Sequence, residues 1–335
     1  QSSNAQTVNE AIIRIGGVAS RQSLSNGNEQ TLDLMGFGDT AASNTVIVVD
    51  GVPLREGDSS EIILSSIPIE SIDRIEIQRG SASVLYGEGA TAGVINIITK
   101  ATATKFEKSD KANLYVGAGS FGTYESRVNA QHVSNGLQLD FFGMDRKSDG
   151  FRQHSENNNQ SGSFSLKIAN DSLRAGVSLK QENSFAMTPG SITFSEFKEN
   201  RQAAQTSSIQ NNTYLSTNVE KYSAFVEKDI ADFILRLDAY RRNRDYDSVA
   251  VLFAAPNRMN FQGQNDYLSL SARHSSSVAL GRNQSVFGIE HSDWRQDRFF
   301  PDSTISTHDY LQSNSLSYFL KNDLDVSSIN TRFSF

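Results

Sequence analysis

From about residue 110 onwards, the chain consists of short segments in which apolar and polar side chains alternate with a period of two. In residues 173–179, for example, the odd-numbered positions are Leu, Ala, Val and Leu, and the even-numbered positions are Arg, Gly and Ser. Successive side chains of a β-strand point to opposite faces, so the pattern predicts strands with one apolar and one polar face. About eleven such strands are expected from residue 111 to the end of the sequence.

The connections between these segments alternate in length. Short turns on one rim and long loops on the other are typical of an outer-membrane β-barrel, whereas the loops of a soluble β-sandwich need not sort by side. The alternation of short turns and long loops therefore favours the barrel. We expect tight turns at 135–136, 170–171 and 229–231, a connection of intermediate length at 275–283, and long loops at 149–160, 184–216, 245–261 and 293–312.

Composition excludes several classes of protein. Hydrophobic residues make up 37% of the chain, and no run approaches the roughly 18 apolar residues of a membrane-spanning helix. The net charge of -7 without a long basic run argues against a nucleic-acid partner. With no cysteine, five scattered histidines and no motif that marks a nucleophile, we expect no cofactor, no metal site and no enzymatic activity.

The first hundred residues have a different pattern, with a predicted helix and short strands. Thr7 and Glu10 form a capping-box pattern before an apolar stripe, which predicts a helix. Strands are predicted at 45–50, 73–78 and 94–99, with Gly-rich turns between them. The chain is thus expected to divide into a small α+β domain at 1–105 and a β-barrel domain at 106–335.

Ordered motifs run through this first domain: VVDGVPL, IPIESIDRIEI, Arg-Gly, LYG and GVINIIT, at 48–54, 67–77, 79–80, 85–87 and 93–99. In identity and order they resemble the plug domain of TonB-dependent receptors. The resemblance implies an α+β plug domain inside a transmembrane antiparallel β-barrel, 22-stranded in that family. Because about eleven strands cannot close such a barrel, we expect the chain to continue beyond Phe335 or to be completed by a second polypeptide. The absence of Met at position 1 suggests a longer precursor.

The resemblance also implies a function and a location. The expected function is active import of a scarce nutrient (siderophore-iron, haem, cobalamin or a similar small cofactor) across the bacterial outer membrane, by ligand binding and plug rearrangement. The expected partners are the ligand, a small molecule or metal chelate, the lipid of the outer membrane, and the TonB-ExbB-ExbD complex, which supplies energy. Two alternatives are a passive porin and a soluble β-sandwich that binds carbohydrate or mediates adhesion.

Three plug loops, at 20–29, 37–44 and 53–60, are expected by analogy to face the ligand. Their polar side chains suit hydrogen bonds or ion pairs with a polar ligand, although each could equally be a solvated turn residue. The candidate ligand-binding residues are Arg21, Gln22, Asn26, Asp39, Arg55, Glu56 and Asp58. Aromatic residues in the barrel loops add a second candidate surface, made of Tyr246, Phe253, Trp294, Phe299 and Phe300.

The family often holds its plug with two arginines that pair with barrel carboxylates. One of them matches Arg79, which we therefore expect to be a plug-barrel lock. At the other position this chain has Met35-Gly36-Phe37 where Arg-Gly-Phe is usual. Because methionine cannot donate a hydrogen bond to a carboxylate, half of the lock is expected to be missing.

Overall fold

The computed structural model describes residues 5, 7–22, 30–50, 52–54, 64, 67, 69–80, 89–100, 109–252, 255–279, 281–301, 307–326 and 331–334. The predicted boundary between the domains, near residue 105, lies outside these residues and stays a prediction. Backbone alone is described at 22, 39, 52–53, 70, 252 and 331–334.

The amino-terminal domain begins with helix α1, Val8–Arg14. The hydroxyl of Thr7 accepts a hydrogen bond from the backbone N–H of Glu10 at 3.1 Å, so the predicted cap is confirmed. Val8 and Ile12 are one turn apart and fully buried, which gives the helix a single apolar face. The chain leaves the helix through Gly17, whose positive φ of 62° suits glycine.

The small domain contains two sheets. Strands β1 (Ala19–Gln22) and β2 (Gln30–Asp33) form an antiparallel pair. After a 3-10 turn at Gly38–Thr40 and helix α2 (Ala41–Asn44), four strands form a mixed sheet in the order β4-β3-β6-β5, in which β3 and β6 are parallel. The three predicted strands are confirmed: β3 is Thr45–Val49, β5 is Ile72–Arg79 and β6 is Gly93–Thr99. The short strand β4, Val52–Pro53, was not predicted.

The central strand β3 of the mixed sheet is buried on both faces. Ile47 and Val49 pack with α1 in one apolar cluster, while Val46 and Val48 pack with Val94 in another. Because both faces of this strand are covered, its sequence TVIVV is a nearly continuous apolar run without alternation. The domain thus has its own core, which does not depend on the large sheet.

Residues 111–334 form one antiparallel sheet whose strands follow each other in sequence order. In the described part of the chain it has eleven strands, as predicted. They are β7 (Lys111–Ala118), β8 (Tyr124–Ser134), β9 (Leu137–Ser148), β10 (Asn157–Ala169), β11 (Leu173–Met187), β12 (Tyr214–Ile230), β13 (Phe233–Leu252), β14 (Ala255–Val278), β15 (Gly281–Phe300), β16 (Thr307–Val326) and β17 (Thr331–Ser334).

Tight turns join the strands along one rim, as predicted. Asn135 and Gly136 both have positive φ, which matches the right-handed twist of a two-residue hairpin. At the next turn, the side chain of Asn170 accepts hydrogen bonds from the backbone N–H groups of Ser172 and Leu173. We call this edge of the sheet the short-turn rim, and the opposite edge the long-loop rim.

Several predicted loops are wrong because their residues belong to strands. Residues 245–252 of β13 pair with 255–262 of β14, so no long loop exists at 245–261. The same correction applies to 275–283 and 293–312, where β15 begins at Gly281 and ends at Phe300. The outer face of these strand ends carries polar and charged residues such as Asp245, Asp247 and Asp297, so they lack the apolar outer positions by which the sequence marks a strand within the lipid band.

Two connections on the long-loop rim stay longer, at 149–156 and 188–213. The second contains helices α3 (Phe194–Glu199) and α4 (Thr206–Gln210). Arg152 Nε donates to the carbonyl of Ala203 at 2.9 Å and thereby joins the two loops. Among the described residues, no helix is long and apolar enough to cross a bilayer.

The large sheet has its apolar side chains on the outside and its polar side chains on the inside. Its exposed face is apolar, whereas its covered face carries buried charges and amides. A soluble sandwich would reverse this arrangement, so the outward face is built for lipid. The exposed apolar side chains include Val128, Phe164, Ile168, Val177, Leu179, Val226, Leu235, Leu237, Leu268, Leu270, Phe287 and Leu316, and the buried polar ones include Arg127, Gln138, Asn159, Lys167, Glu227, Arg244 and Gln296.

The apolar band has a limited height. On the outer face of β13 it begins with Phe233 at the short-turn rim and ends before Arg241, which pairs with Asp266 at 2.6 Å. Eight residues of tilted strand rise roughly 20 Å, close to the height of an outer-membrane apolar belt. Strands β13 to β16 continue past this band as a sheet with water on its outer face.

Replacing Leu237 with lysine should lower the free energy of unfolding by about 2–4 kcal/mol, because a charge near the middle of the band must enter lipid. Urea unfolding in lipid vesicles measures the change. Asn243→Lys, on the same face of the same strand but beyond the band, is the matched control. An equal loss from both substitutions would contradict this placement of the band.

Candidate functional site

The small domain lies against the polar face of the large sheet, and a buried lysine connects them. Lys167 of β10 is 1% exposed, and its Nζ donates to the backbone carbonyl of Lys100 at 2.5 Å. The carboxylate of Asp140 lies 4.0 Å away and balances the charge. A buried ammonium is tolerated only when it is paired and hydrogen-bonded in this way.

A second lysine reaches the small domain at Asp50. Lys221 Nζ of β12 lies 3.9 Å from the Asp50 carboxylate, which also accepts hydrogen bonds from the N–H and hydroxyl of Thr99. Asp50 has a positive φ of 57° in the turn after β3. The turn after β3 therefore presents a carboxylate to the wall.

A cavity of about 120 Å³ separates the two parts around these contacts. Val49, Leu54 and Ile67 line it on one side, and polar groups from six strands of the large sheet, β8 to β13, line it on the other. Water in this cavity can hydrogen-bond to the hydroxyls and charges of the wall.

Residues 35–38 are held by one carboxylate. Asp33 Oδ1 accepts backbone hydrogen bonds from Met35, Gly36 and Phe37 at 3.2, 2.7 and 3.0 Å, and Oδ2 accepts one from Gly38 at 2.8 Å. The Gly38 N–H contributes most to holding the pKa of Asp33 below its ordinary value. This carboxylate fixes the start of the predicted ligand loop at 37–44.

Most of the predicted ligand-binding residues lie outside the described part of the chain. Arg21 is described in β1 and is exposed. The backbones of Gln22 and Asp39 are described, in β1 and in the 3-10 turn. Asn26, Arg55, Glu56 and Asp58 are not among the described residues, so their shared role stays a prediction.

Arg79 contacts its own domain. Its Nη2 donates to the carbonyl oxygens of Gly16 and Gly17 at 2.7 and 3.1 Å, just beyond the end of α1, where a cation is favoured. Its pairing with a barrel carboxylate stays a prediction. Met35, at the position of the missing arginine, is 56% exposed.

At the short-turn end, the polar face carries a charge cluster around Glu227. Arg174 donates to its carboxylate at 2.7 Å, and Arg236 and Arg273 approach it at 3.5 and 3.8 Å. Arg174 also pairs with Asp229. Neighbouring strands thus satisfy a buried carboxylate within the wall itself.

Aromatic rings line the same face near the long-loop rim. Tyr246 and Phe261 stack with centroids 5.2 Å apart, and Phe300 meets Phe261 edge-on at 5.5 Å. The guanidinium groups of Arg244 and Arg298 lie 5.2 Å from the ring centroids of Tyr246 and Phe261, respectively.

The described aromatic residues that were predicted in loops therefore lie on strands, some on the lumenal face and one on the outer face. Tyr246, Trp294 and Phe300 are on the lumenal face by register, whereas Phe299 is 44% exposed on the outer face beside His308. Phe253 is not among the described residues. Phe261, the ring at the centre of the stack, was missed because the sequence pattern placed it at the end of a loop.

The first part of the chain also matches a known family. Residues 1–94 match the TonB-dependent Receptor Plug Domain, a stretch that contains α1, β1 to β5 and the start of β6. Residues 1–94 are therefore a TonB-dependent receptor plug domain. The small domain of this receptor is its plug, and the large sheet is part of its barrel wall.

Curated relatives agree with this assignment over part of their length. The receptor is 29% identical over 152 residues to the vitamin B12 transporter BtuB of Vibrio vulnificus. This alignment covers 45% of this chain and 24% of the relative. It is 35% identical over 101 residues to BtuB of Vibrio cholerae, an alignment that covers 30% of this chain and 16% of that relative. The chain thus spans about a quarter of the length of the curated relatives that it matches.

Solved structures show the same fold. The ferric yersiniabactin uptake receptor FyuA from Yersinia pestis superposes with a TM-score of 0.77 at 16% identity, covering 96% of this chain and 52% of FyuA. The ferric preacinetobactin receptor BauA from Acinetobacter baumannii gives 0.75 at 12% identity, covering 99% and 54%. Receptors of this family are β-barrels of the bacterial outer membrane, where the apolar band also places this chain.

The two lysines that reach the plug were not predicted. Lys167 occupies an inward position of the period-two pattern, next to Ser165 and close to a tight turn. A lysine on the covered face of a strand is a signal that the sequence does contain. Its partner, the carbonyl of Lys100, could not be inferred because it comes from a different domain.

Lys167→Met should loosen the plug by roughly 1–3 kcal/mol, because the Lys100 carbonyl and the Asp140 carboxylate lose a buried partner. Conductance of the receptor in planar bilayers should then show more frequent openings. Lys228→Met, which removes an exposed lysine from the outer face of β12, should leave the closed state unchanged. A Lys167→Met receptor that stays closed like the wild type would contradict the role of Lys167 in holding the plug.

Asp33→Asn should expose the amides of residues 35–38 to faster hydrogen exchange at neutral pH, because an amide oxygen accepts more weakly than a carboxylate. The native pKa of Asp33 is depressed, so its stabilising contribution is present above the unfolded-state pKa and is lost as pH falls through the native value.

Exchange measured by mass spectrometry checks both statements about Asp33. In the native receptor, protection of these amides should decrease only in acid, and in Asp33→Asn it should be low throughout. Asp73→Asn, at an exposed carboxylate on β5, is the control and should leave residues 35–38 protected. Unchanged protection in Asp33→Asn would contradict the role of this carboxylate.

Proposed function

We propose that this receptor actively imports a scarce nutrient, a small molecule or metal chelate, across the outer membrane. The ligand binds on the long-loop side, the plug rearranges, and the TonB-ExbB-ExbD complex supplies the energy. Residues 1–105 form the plug in this proposal, and residues 106–335 form part of the barrel.

The observation that carries the proposal is a plug with its own core that lies against the polar wall of the barrel. A passive porin needs an open lumen, so a folded domain inside the wall argues for gated transport. The core around Ile12, Ile47 and Ile95 stays within the plug. The plug can therefore move, or partly unfold, without unpacking the wall.

The contacts between plug and wall suit such a movement. Lys167 and Lys221 bind the plug through polar groups, and hydroxyls and charges are among the groups that line the cavity beside them. Water can replace polar contacts of this kind at a small net cost in free energy, unlike apolar packing. Binding of the ligand alone cannot drive repeated uphill transport, so an external energy source is required.

Plug loops and barrel wall both provide groups for a polar ligand. We assign ligand contacts to the apical plug loops with Arg21, Gln22, Asn26, Asp39, Arg55, Glu56 and Asp58, and a plug-barrel lock to Arg79. The printed names of the relatives give vitamin B12 for BtuB, ferric yersiniabactin for FyuA and ferric preacinetobactin for BauA. These cargoes support a small molecule or metal chelate as the ligand class.

Uptake in intact cells distinguishes the import mechanism from a passive pore. Cells that carry the complete receptor as their only uptake route should accumulate a radiolabelled nutrient against its gradient. A protonophore that collapses the proton gradient should reduce this accumulation to the level of cells without the receptor. Uptake that survives the protonophore would overturn the proposal and favour the porin.

A further inference from the structure

We propose that the outer face of β7 to β10 binds one phospholipid of the periplasmic leaflet of the outer membrane. The site is an open groove of about 480 Å³ close to the short-turn rim. Phe141 and Phe164 line its apolar end, and His132 and Asp110 line its polar end. We call it the outer-face groove. The inference goes beyond the import of a nutrient, because the groove lies on the face of the wall that is turned away from the plug.

Register places the groove on the lipid-facing side of the sheet. Ala112, Ala130, Phe141 and Phe164 form one row of directly paired residues across four strands. Directly paired side chains share a face. Phe141 and Phe164 are 49% and 44% exposed, whereas Phe142, the neighbour of Phe141 on the other face, is 4% exposed. The row therefore belongs to the apolar outer face.

A change of side-chain size along this row produces the groove. Two phenylalanine rings, on β10 and β9, are followed by two alanine methyl groups, on β8 and β7, so the outer surface steps down between them. A void beside hydrocarbon leaves its lining without van der Waals partners, and an acyl chain restores those contacts. Because all lipid chains are similarly apolar, filling the groove does not by itself favour one lipid over another.

The polar end of the groove can distinguish between head groups. Asp110 Oδ1 accepts a hydrogen bond from the backbone N–H of Val133 at 2.8 Å, and Oδ2 lies 3.1 Å from His132 Nδ1. The side chains of Asp110 and His132 nevertheless remain 62% and 57% exposed. A carboxylate and an imidazole are thus held side by side where the groove meets the rim.

A zwitterionic phospholipid matches both ends of the groove. The short turns of outer-membrane barrels face the periplasm, so this part of the band lies in the leaflet that consists of phospholipids rather than lipopolysaccharide. The ammonium group of phosphatidylethanolamine can pair with the Asp110 carboxylate, and its phosphate can accept a hydrogen bond from the imidazolium form of His132. A head group with a phosphate and no ammonium would face the carboxylate without a partner for it.

Native mass spectrometry of the complete receptor tests the groove. The receptor is reconstituted in nanodiscs that contain equal amounts of phosphatidylethanolamine and phosphatidylglycerol, and the phospholipids that stay bound after release are counted and identified. The wild type should retain one phospholipid. Phosphatidylethanolamine should be enriched roughly fivefold over phosphatidylglycerol, which is the effect expected of one exposed ion pair.

Two variants separate the two ends of the groove. Ala130→Phe should reduce the retained phospholipid roughly tenfold, because the added ring occupies the space of the acyl chain. Asp110→Asn should still bind a lipid but lose the preference for phosphatidylethanolamine, since an amide oxygen can accept from Val133 but carries no charge. Ala239→Phe is the matched control, because Ala239 also faces outwards within the lipid band, on β13. It should retain phosphatidylethanolamine like the wild type.

The inference is overturned if the wild type retains no phospholipid or shows no head-group preference, or if Ala130→Phe binds phospholipid like the wild type. An equal loss in Ala239→Phe would also overturn it, and so would retention of lipopolysaccharide instead, when the receptor is purified from its own outer membrane. Heat-modifiable migration in gels shows that each variant is folded, and Asp110→Asn tests the head-group contact if Ala130→Phe does not fold. Uptake that survives the protonophore is a separate result and leaves the groove unaffected.

Discussion

Backbone hydrogen bonding in lipid is the constraint on which the rest of the structure depends. A bilayer offers no partner for an N–H or C=O group, so a chain that crosses it as strands must pair each strand with a neighbour. From β7 to β17, every strand is hydrogen-bonded to the next in sequence order. Such a sheet has one face for lipid and one for the lumen, which fixes where apolar and polar side chains can lie.

The polar lumen in turn determines how the plug is held. A wall of charges and hydroxyls cannot form an apolar interface, so the plug keeps its apolar residues in a separate core around β3 and β6. Contacts with the wall include hydrogen bonds and ion pairs, such as those of Lys167 with Lys100 and of Lys221 with Asp50. Polar contacts of this kind hold a closed state and still permit exchange with water.

Beyond the lipid band, the sheet is no longer constrained by lipid and its two faces acquire new roles. The outer face becomes charged, with ion pairs such as Arg241–Asp266 that face water. The inner face carries arginines and stacked aromatic rings near the long-loop rim. The same strands thus face lipid at one end and water at the other.

Much of this arrangement could be predicted from local sequence. Thr7 and Glu10 predicted the helix, the apolar runs predicted β3 and β6, and alternation predicted the strands within the lipid band, because each depends on neighbours along the chain. The strand ends beyond the band were mistaken for loops, since water on the outer face removes the alternation. Only the tertiary structure decided that Lys167 meets Lys100 and that Tyr246, Phe261 and Arg298 share one wall, because strand register brings together residues that are distant in sequence.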